Sequence, residues 1–157
     1  ALIEPQMKNT VIPKVLGIDG KDKMGKSLNN HIELAATPEE TQKRVMQMVT
    51  DPARLRRNDP GNPDVCNVFS MHKIFSSAEE VETINRDCRS AALGCVDCKK
   101  LFAKNLNQNL EPFRAKRAEI AQKPELVWDI LHDGAKRARA LAQETMREVR
   151  AALQLPE

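Results

Sequence analysis

Residues 37–49 read TPEETQKRVMQMV, and they mark the point from which the chain is helical. Thr37 supplies the side-chain oxygen of an N-cap, Pro38 suits the first helical turn, and Glu40 completes a capping box. One buried face is then indicated by apolar residues at helical spacing, Val45, Met46 and Val49. This segment predicts an amphipathic helix that begins at Pro38.

The residues beyond this segment carry further helix signals of the same kind. Residues 68–75 predict a short helix, and a second capping box at residues 77–80 starts another helix that runs to about Arg89. Cys95 opens a long helical stretch, in which Pro112 is expected to introduce a kink or a division. The proline-rich and glycine-rich loop that precedes these helices, NDPGNPD, occupies residues 58–64.

The last helix is expected to begin at Pro124. Its apolar residues recur every three or four positions, which predicts a buried face with Trp128 in the core and base stacking by Trp128 as the alternative. Aromatic residues make up only 3% of the 157 residues, and a core of aliphatic side chains suits helices better than strands. Only residues 10–16, TVIPKVL, predict a strand, which Pro13 limits to an edge or an irregular segment. The fold class is therefore mainly α.

Charge and hydropathy limit the classes of function. Charged residues make up 30% of the chain and the net charge is +3, a composition that permits nucleic-acid contact without requiring it. No run of 18 apolar residues occurs and the first dozen residues lack a secretory pattern, so we expect no membrane span and a cytoplasmic location. Because the chain opens on Ala1 without an initiator methionine, we also expect that an upstream part is missing.

A lysine-rich segment at residues 22–30, DKMGKSLNN, is the first candidate for chemistry, and we name it the lysine loop. Lys23 and Lys26 place two ammonium groups three positions apart, beside Gly25 and Ser27. Lysines on a glycine-bearing loop can close over a polyphosphate and neutralise charge that develops on a leaving group. The segment is not a Walker A motif, because the glycine four residues before Gly-Lys is missing. From spacing alone, a solvated polar turn is the competing interpretation.

The four cysteines are the second candidate, and they follow the spacing C-x21-C-x6-C-x2-C: Cys66, Cys88, Cys95 and Cys98. In a chain without a secretory signal, this pattern favours metal or cluster ligation over disulfides. Four thiolates with a single C-x2-C pair fit the footprint of a [4Fe–4S] cluster better than tetrahedral zinc. Zinc, with His72 as a further possible ligand, and unligated buried thiols are the alternatives. The expected role of such a centre is structural.

Residues 23–27 resemble the Lys-Met-Ser-Lys-Ser signature of class I aminoacyl-tRNA synthetases, with Gly25 in place of the middle serine. The surrounding sequence extends the likeness. IPKVLGIDGKDKMGKSLNNHIEL at residues 12–34 and DPGNP at residues 59–63 resemble the tryptophan-specific branch of that family. The cysteine spacing is similar to that of a bacterial subset with a [4Fe–4S] cluster in the helical domain.

The resemblance implies a domain layout and an activity. Residues 1–30 would be the end of a class I α/β catalytic domain, and residues 31–157 a helical anticodon-binding domain that carries the cysteine site. The parent enzyme would use ATP and magnesium to activate tryptophan and transfer it to tRNA(Trp), and it would be a homodimer. The tryptophan pocket and the His-Ile-Gly-His-type signature would lie in the missing upstream domain. We therefore expect the 157-residue chain alone to be catalytically incompetent.

The family's functional residues carry over onto the lysine loop. All five signature positions would bind the ATP phosphates, with Lys26 more important for stabilising the transition state: Lys23, Met24, Gly25, Lys26 and Ser27. Basic residues near the cysteines would face tRNA or offset the charge of the cluster, with plain solvation as the alternative: Arg89, Lys99 and Lys100. A second basic group would contact tRNA phosphates, again with plain solvation as the alternative: Arg54, Arg56 and Arg57.

Three rival functions stay open at this point. The first is the tyrosine-specific relative, which shares the lysine loop and the helical domain. The second is a stand-alone tRNA-binding or protein-binding module in which the lysine loop is vestigial. The third is a metal-stabilised helical domain without a role in nucleic-acid binding.

Overall fold

The computed structural model describes residues 3–9 and 12–156. Those residues contain five α-helices and two short 3₁₀ turns, Lys26–Leu28 and Pro63–Val65. The helices are α1 (Pro38–Met46), α2 (Asn67–Phe75), α3 (Ala78–Arg89), α4 (Cys95–Ala121) and α5 (Pro124–Ala152). The mainly α fold class is confirmed. None of the described helices is long and apolar enough to cross a membrane.

Two capping boxes start α1 and α3, as the sequence predicts. Thr37 N donates to Glu40 Oε2 at 2.8 Å, and Glu40 N donates to Thr37 Oγ1 at 3.2 Å. Ser77 and Glu80 repeat this exchange, with both bonds at 3.2 Å. Each box satisfies two backbone donors that no helical carbonyl can reach, so it fixes the first turn.

The core of the first compact unit, residues 12–115, is formed mainly by α2 and α4. Its fully buried residues include Val45 of α1, Val68 of α2 and Phe102 of α4. His72 is also fully buried, with its ring 5.3 Å from that of Phe102 in an edge-to-face arrangement. On α1, Val45 lies in the core as predicted, whereas Val49 lies beyond the end of the helix and is 45% exposed.

The predicted strand is corrected, and so is the division of the helix at Pro112; the alternative, a kink at Pro112, stays a prediction. Among residues 12–16, only Leu16 pairs, in a single antiparallel bridge to Lys23, because Pro13 has no N–H to donate; Thr10 and Val11 lie outside the described residues. Helix α4 runs through Pro112 without interruption. Arg114 supports this stretch from beyond the proline, since its Nη1 donates to Asn107 Oδ1 at 2.8 Å.

The second compact unit contains α5 and the end of α4. The prediction that Trp128 lies in a core is wrong, because its side chain is 62% exposed and none of the residues of α5 is buried. The apolar pattern is present, but this unit contains too little other structure to cover a helix of 29 residues. The functional boundary expected at residue 30 stays a prediction, since a compact unit can contain parts with different roles.

Candidate functional site

The lysine loop follows a turn that backbone hydrogen bonds close. Met24 N donates to Val15 O, and Gly17 N donates to Asp22 O, both at 2.9 Å. At the tip, Gly20 N donates to Gly17 O at 3.0 Å, which closes a turn over residues 17–20. Gly20 has φ +67°, a left-handed conformation that glycine adopts with little cost.

A buried asparagine, Asn30, holds the lysine loop from inside. Asn30 is 3% exposed, and its Oδ1 accepts the Gly25 N–H at 2.8 Å. Its Nδ2 donates to the Asp19 carboxylate at 2.8 Å and to Lys23 O at 3.4 Å. One side chain therefore fixes the backbone on both sides of Met24. The N–H of Lys21 and this amide, which both donate to Asp19, lower the pKa of its carboxyl.

The base of the lysine loop is tied to the helices by further hydrogen bonds. Asn67, at the start of α2, donates from Nδ2 to Gly17 O at 2.7 Å. Val49, just beyond α1, donates from its backbone to Ile18 O at 2.9 Å. Ile18 N in turn donates to Asn30 O at 2.8 Å. The loop thus emerges from a base that belongs to the packed helical unit.

An arginine of α1 fixes the end of the lysine loop. Arg44 Nη2 donates to Asn29 O at 2.6 Å and to His31 O at 3.0 Å. The roles of Arg44 and Asn30 were missed from the sequence. A polar residue within a polar run gives no signal of burial, and an arginine on a helix gives no signal of which carbonyl it reaches.

The two lysines of the loop are exposed and have no ionic partner among the described residues. Lys23 precedes Gly25, and Lys26 begins a single 3₁₀ turn that also contains the exposed Ser27. Two unpaired ammonium groups on a backbone that is fixed from below form a site for a polyanion. The geometry is therefore suited to phosphate binding.

The cysteines all lie in the unit formed by residues 12–115, and all four are free thiols. Cys66 precedes α2, Cys88 lies in the last turn of α3, and Cys95 and Cys98 lie in the first turn of α4. Burial raises the pKa of Cys98 to about 12, and the other three thiols push it in the same direction. All four cysteines thus lie at the ends of helices within one compact unit.

The residues around Cys88 are chemically compatible with a thiolate ligand. A Cβ placed on Gly61 would lie 2.6 Å from Cys88 Sγ, so the absence of a side chain lets the backbone approach the sulfur closely. Arg54 Nη1 lies 3.9 Å from the same sulfur and donates to Leu93 O at 2.9 Å. In their present positions, however, no three of the described His, Cys, Asp and Glu side chains form a group that could hold a metal ion.

His72, the alternative zinc ligand, lies beside one of the cysteines. Its Nε2 is 3.6 Å from Cys98 Sγ and 3.2 Å from Cys98 O, while Nδ1 is 2.7 Å from Ser76 Oγ. Both ring nitrogens therefore already have polar partners. Burial lowers the pKa of the imidazole, which keeps the ring neutral in the core.

The three basic residues assigned to tRNA have different surroundings. Arg89 forms an ion pair with Asp64 at 2.7 Å. Lys99 Nζ donates to Met46 O, the last carbonyl of α1, at 3.0 Å. Lys100 is exposed and forms no ion pair among the described residues. Of the three, Lys100 can bind an external anion without giving up an internal contact.

Comparison with known proteins identifies the family to which the chain is similar. Residues 3–111 match the sequence model of the family described as tRNA synthetases class I (W and Y). A tryptophan–tRNA ligase of Aquifex aeolicus is 44% identical over 154 residues, which cover 98% of this chain and 39% of the relative. One of Thermotoga maritima is 42% identical, over 97% of this chain and 46% of the relative.

The fold comparison agrees with the sequence comparison. A crystal structure of tryptophanyl-tRNA synthetase from Campylobacter jejuni, in complex with ADP and tryptophan, covers 94% of this chain with a TM-score of 0.77 and 28% identity. This chain covers 45% of the length of that synthetase chain. The chain thus spans less than half the length of these relatives.

Proposed function

Because this chain belongs to the class I aminoacyl-tRNA synthetase family of the tryptophan and tyrosine enzymes, we propose that it is the C-terminal part of a tryptophan–tRNA ligase. Relatives with that name match nearly the whole chain, which supports tryptophan over tyrosine. The parent enzyme activates tryptophan with ATP and magnesium and charges tRNA(Trp), as a cytoplasmic homodimer. Tryptophan binds in the part of the enzyme outside these residues.

The lysine loop is the observation that supports a role for this chain in the activation step. In the activation step, the tryptophan carboxylate attacks the α-phosphorus of ATP, the bond to the bridging oxygen breaks, and pyrophosphate leaves. Negative charge grows on the leaving pyrophosphate, and Lys23 and Lys26 are the unpaired cations available to neutralise it. Asn30 positions both lysines, because it bonds to the backbone of Lys23 and of Gly25.

Tryptophan-dependent exchange of pyrophosphate into ATP by the full-length protein tests this assignment. Lys26→Ala is expected to lower kcat by about 10²–10³-fold, the usual effect of removing a group that stabilises transition-state charge. Lys21→Ala, which removes an exposed lysine from the adjacent turn, is the matched control and should leave the rate near that of the wild type. Exchange with tyrosine in place of tryptophan would identify the tyrosine enzyme. Binding of tRNA without any exchange would favour a binding module.

We further propose that the four cysteines ligate a [4Fe–4S] cluster, with zinc as the alternative occupant. All four cysteines lie in one compact unit at the ends of α2, α3 and α4, with the Arg54 guanidinium and the closely approaching backbone of Gly61 beside Cys88, and this arrangement supports the donor set. Such a centre joins the start of α2, the end of α3 and the start of α4, so its role is structural. Because the thiols as they stand form no single-ion site, loading involves local rearrangement around the cluster.

Anaerobic purification followed by absorbance and elemental analysis tests the cluster. About four iron and four sulfide per chain, with a broad thiolate–iron band, are expected. Cys95→Ser should lower the iron content, whereas Ser90→Ala, an exposed change near the same turn, should not. About one zinc without iron would assign the site to structural zinc instead. Neither metal would leave the cysteines as unligated thiols.

Binding of tRNA by residues 31–157 is the remaining part of the proposal. Lys100 is exposed and forms no ion pair with a described residue, while Arg89 and Lys99 contribute by holding the loop before α2 and the end of α1. Lys100→Ala should therefore weaken binding of tRNA(Trp) without changing stability. If Lys99→Ala loses the same affinity and also has a lower free energy of unfolding, the effect of Lys99 on tRNA binding is structural.

A further inference from the structure

Helix α5 carries a row of apolar and small residues whose members are alternately three and four positions apart. A spacing that averages 3.5 residues is the repeat that keeps two α-helices in contact along their length. At 1.5 Å per residue, the row is about 36 Å long. We name these eight residues the α5 seam: Trp128, Leu131, Ala135, Ala138, Ala142, Thr145, Val149 and Ala152. The α5 seam is therefore suited to lengthwise packing against a second helix.

No structure among the described residues covers the α5 seam. None of the residues of α5 is buried, and Trp128 and Leu131 are 62% and 54% exposed. Thr145 does not oppose burial of the seam, because its Oγ1 already donates to Leu141 O at 3.2 Å. A monomeric protein rarely leaves a continuous apolar surface of this length in water. Large apolar residues beside the seam are exposed as well: Leu141, Met146 and Leu153.

The α5 seam is complementary to itself when a second copy runs antiparallel. If the two-fold axis passes beside residue 140, residues equally far before and after that position lie at the same level of the two helices. Trp128 then faces Ala152 of the second copy, so the largest side chain of the seam meets one of the smallest. A parallel pair would instead place two Trp128 rings in one layer and two Ala152 methyl groups in another. The remaining layers of the antiparallel pair join Leu131 with Val149, Ala135 with Thr145, and Ala138 with Ala142.

The distribution of charge along α5 also favours an antiparallel pair. Residues 124–133 contain three acidic residues and no lysine or arginine, a net charge of −3 with histidine neutral. Residues 134–152 contain five basic and two acidic residues, a net charge of +3. In an antiparallel pair the acidic start of each helix lies along the basic end of the other, with Asp129 near the level of Arg150 of the second copy. A parallel pair would bring like charges together, which disfavours it.

We propose that this chain associates with a second copy of itself through antiparallel packing of the two α5 seams. A cover supplied by the rest of a parent enzyme would need no match between the two halves of α5. A two-fold pair, in contrast, needs both the match of large with small residues and the match of acidic with basic residues. The pairing uses neither the lysine loop nor the cysteines, so it does not rest on the proposed function.

Arg139 lies beside the centre of the antiparallel pair. It follows Ala138 of the seam and is one position from residue 140, so it lies close to the level of its own counterpart. Residues that flank a seam in this way meet their counterparts when two helices run in opposite directions. The two Arg139 side chains therefore approach each other, and their like charges weaken the pair. A substitution that removes this charge should strengthen association.

Sedimentation equilibrium of the 157-residue chain tests the proposal, with a reductant present to keep the four cysteines as free thiols. A pair of single helices forms a small interface, so we expect a monomer–dimer equilibrium with a Kd on the order of 10 µM. Trp128 is the single tryptophan of the chain, so its emission should shift to shorter wavelength as the dimer forms. Far-ultraviolet circular dichroism shows whether each variant keeps its helices.

Leu131→Glu places a carboxylate in the seam and should raise the Kd by at least about tenfold, because a charge is costly to bury between two helices. Ile130→Glu is the matched control, since Ile130 lies on an adjacent side of the same helix and is 57% exposed, against 54% for Leu131. The control should keep the Kd within about twofold of the wild type, as a surface substitution does. Arg139→Gln should lower the Kd by about two- to fivefold, the effect of removing one exposed pair of like charges.

Each other outcome decides against the α5 seam as a dimer interface. A monomer at every concentration would contradict the proposal and leave the proposed function intact, because the rest of the parent enzyme would then be the remaining cover for the seam. Equal weakening by Leu131→Glu and Ile130→Glu would place the interface outside the seam. An unchanged or higher Kd in Arg139→Gln would contradict the antiparallel orientation. A dimer with unshifted Trp128 emission would assign association to a different surface.

Discussion

Replacement of Asn30 by alanine should release the lysine loop while the helices stay folded. The substitution removes the bond of 2.8 Å from Gly25 N and the longer bond of 3.4 Å to Lys23 O. A neutral hydrogen bond contributes about 1 kcal/mol, and the longer bond contributes about half of that, so these two bonds account for about 1.5 kcal/mol. The bond to Asp19 adds less, because that carboxylate is partly exposed to water.

Hydrogen–deuterium exchange measures this release at the loop. A loss of about 1.5 kcal/mol of local stability speeds exchange of the Gly25 amide by about tenfold, while peptides from α4 keep their protection. Asn109→Ala removes an exposed asparagine from α4 and is the matched control, with no change expected in the loop. Unchanged exchange at Gly25 in Asn30→Ala would refute the reasoning, since the loop would then be held by its backbone bonds alone.

Three further substitutions test other contacts. Gly61→Ala places a Cβ 2.6 Å from Cys88 Sγ, so it should lower the free energy of unfolding, measured by urea denaturation, by about 1–3 kcal/mol. It should also reduce the iron content of the purified chain, measured by elemental analysis. Gly25→Ser should raise the melting temperature slightly, because φ is −161° and the nearest atoms are 3.8 Å or more from the new Cβ, so the change stiffens the unfolded chain without strain. Asp19→Asn should be less stable than the wild type at pH 7. Folding lowers the pKa of Asp19 below 3.8, so the stabilisation by the carboxylate exists above that pH and is lost as the pH falls further. The free energies of unfolding of the two proteins should therefore converge in acid. A constant difference between these free energies from pH 7 to pH 2 would contradict the last expectation.

Local signals in the sequence were enough to predict most of the helices. A capping box depends on two side chains three positions apart, so the bonds of Thr37 with Glu40 and of Ser77 with Glu80 could be predicted from the residues alone. The spacing of the cysteines likewise placed them at helix ends. The lysine loop was predicted from its charges and from the resemblance to a family.

The features that were missed depend on contacts between distant residues. Asn30 is buried because Gly17 and Gly25 fold over it, which no local pattern indicates. Helix α4 continues past Pro112, and Arg114 just beyond it bonds to Asn107 and to the buried Thr41, contacts that no local pattern indicates. The exposure of α5 could not be predicted either, since an apolar stripe has the same pattern whether or not a partner covers it.

The attachment of the lysine loop to the helices determines where this protein can be recombined with a relative. Asn67 reaches back to Gly17, and Arg44 reaches back to Asn29, so both bonds cross a junction placed at residue 30. A hybrid joined there would inherit the two halves of each bond from different parents. A junction before residue 12 keeps the loop together with the helices that shape it.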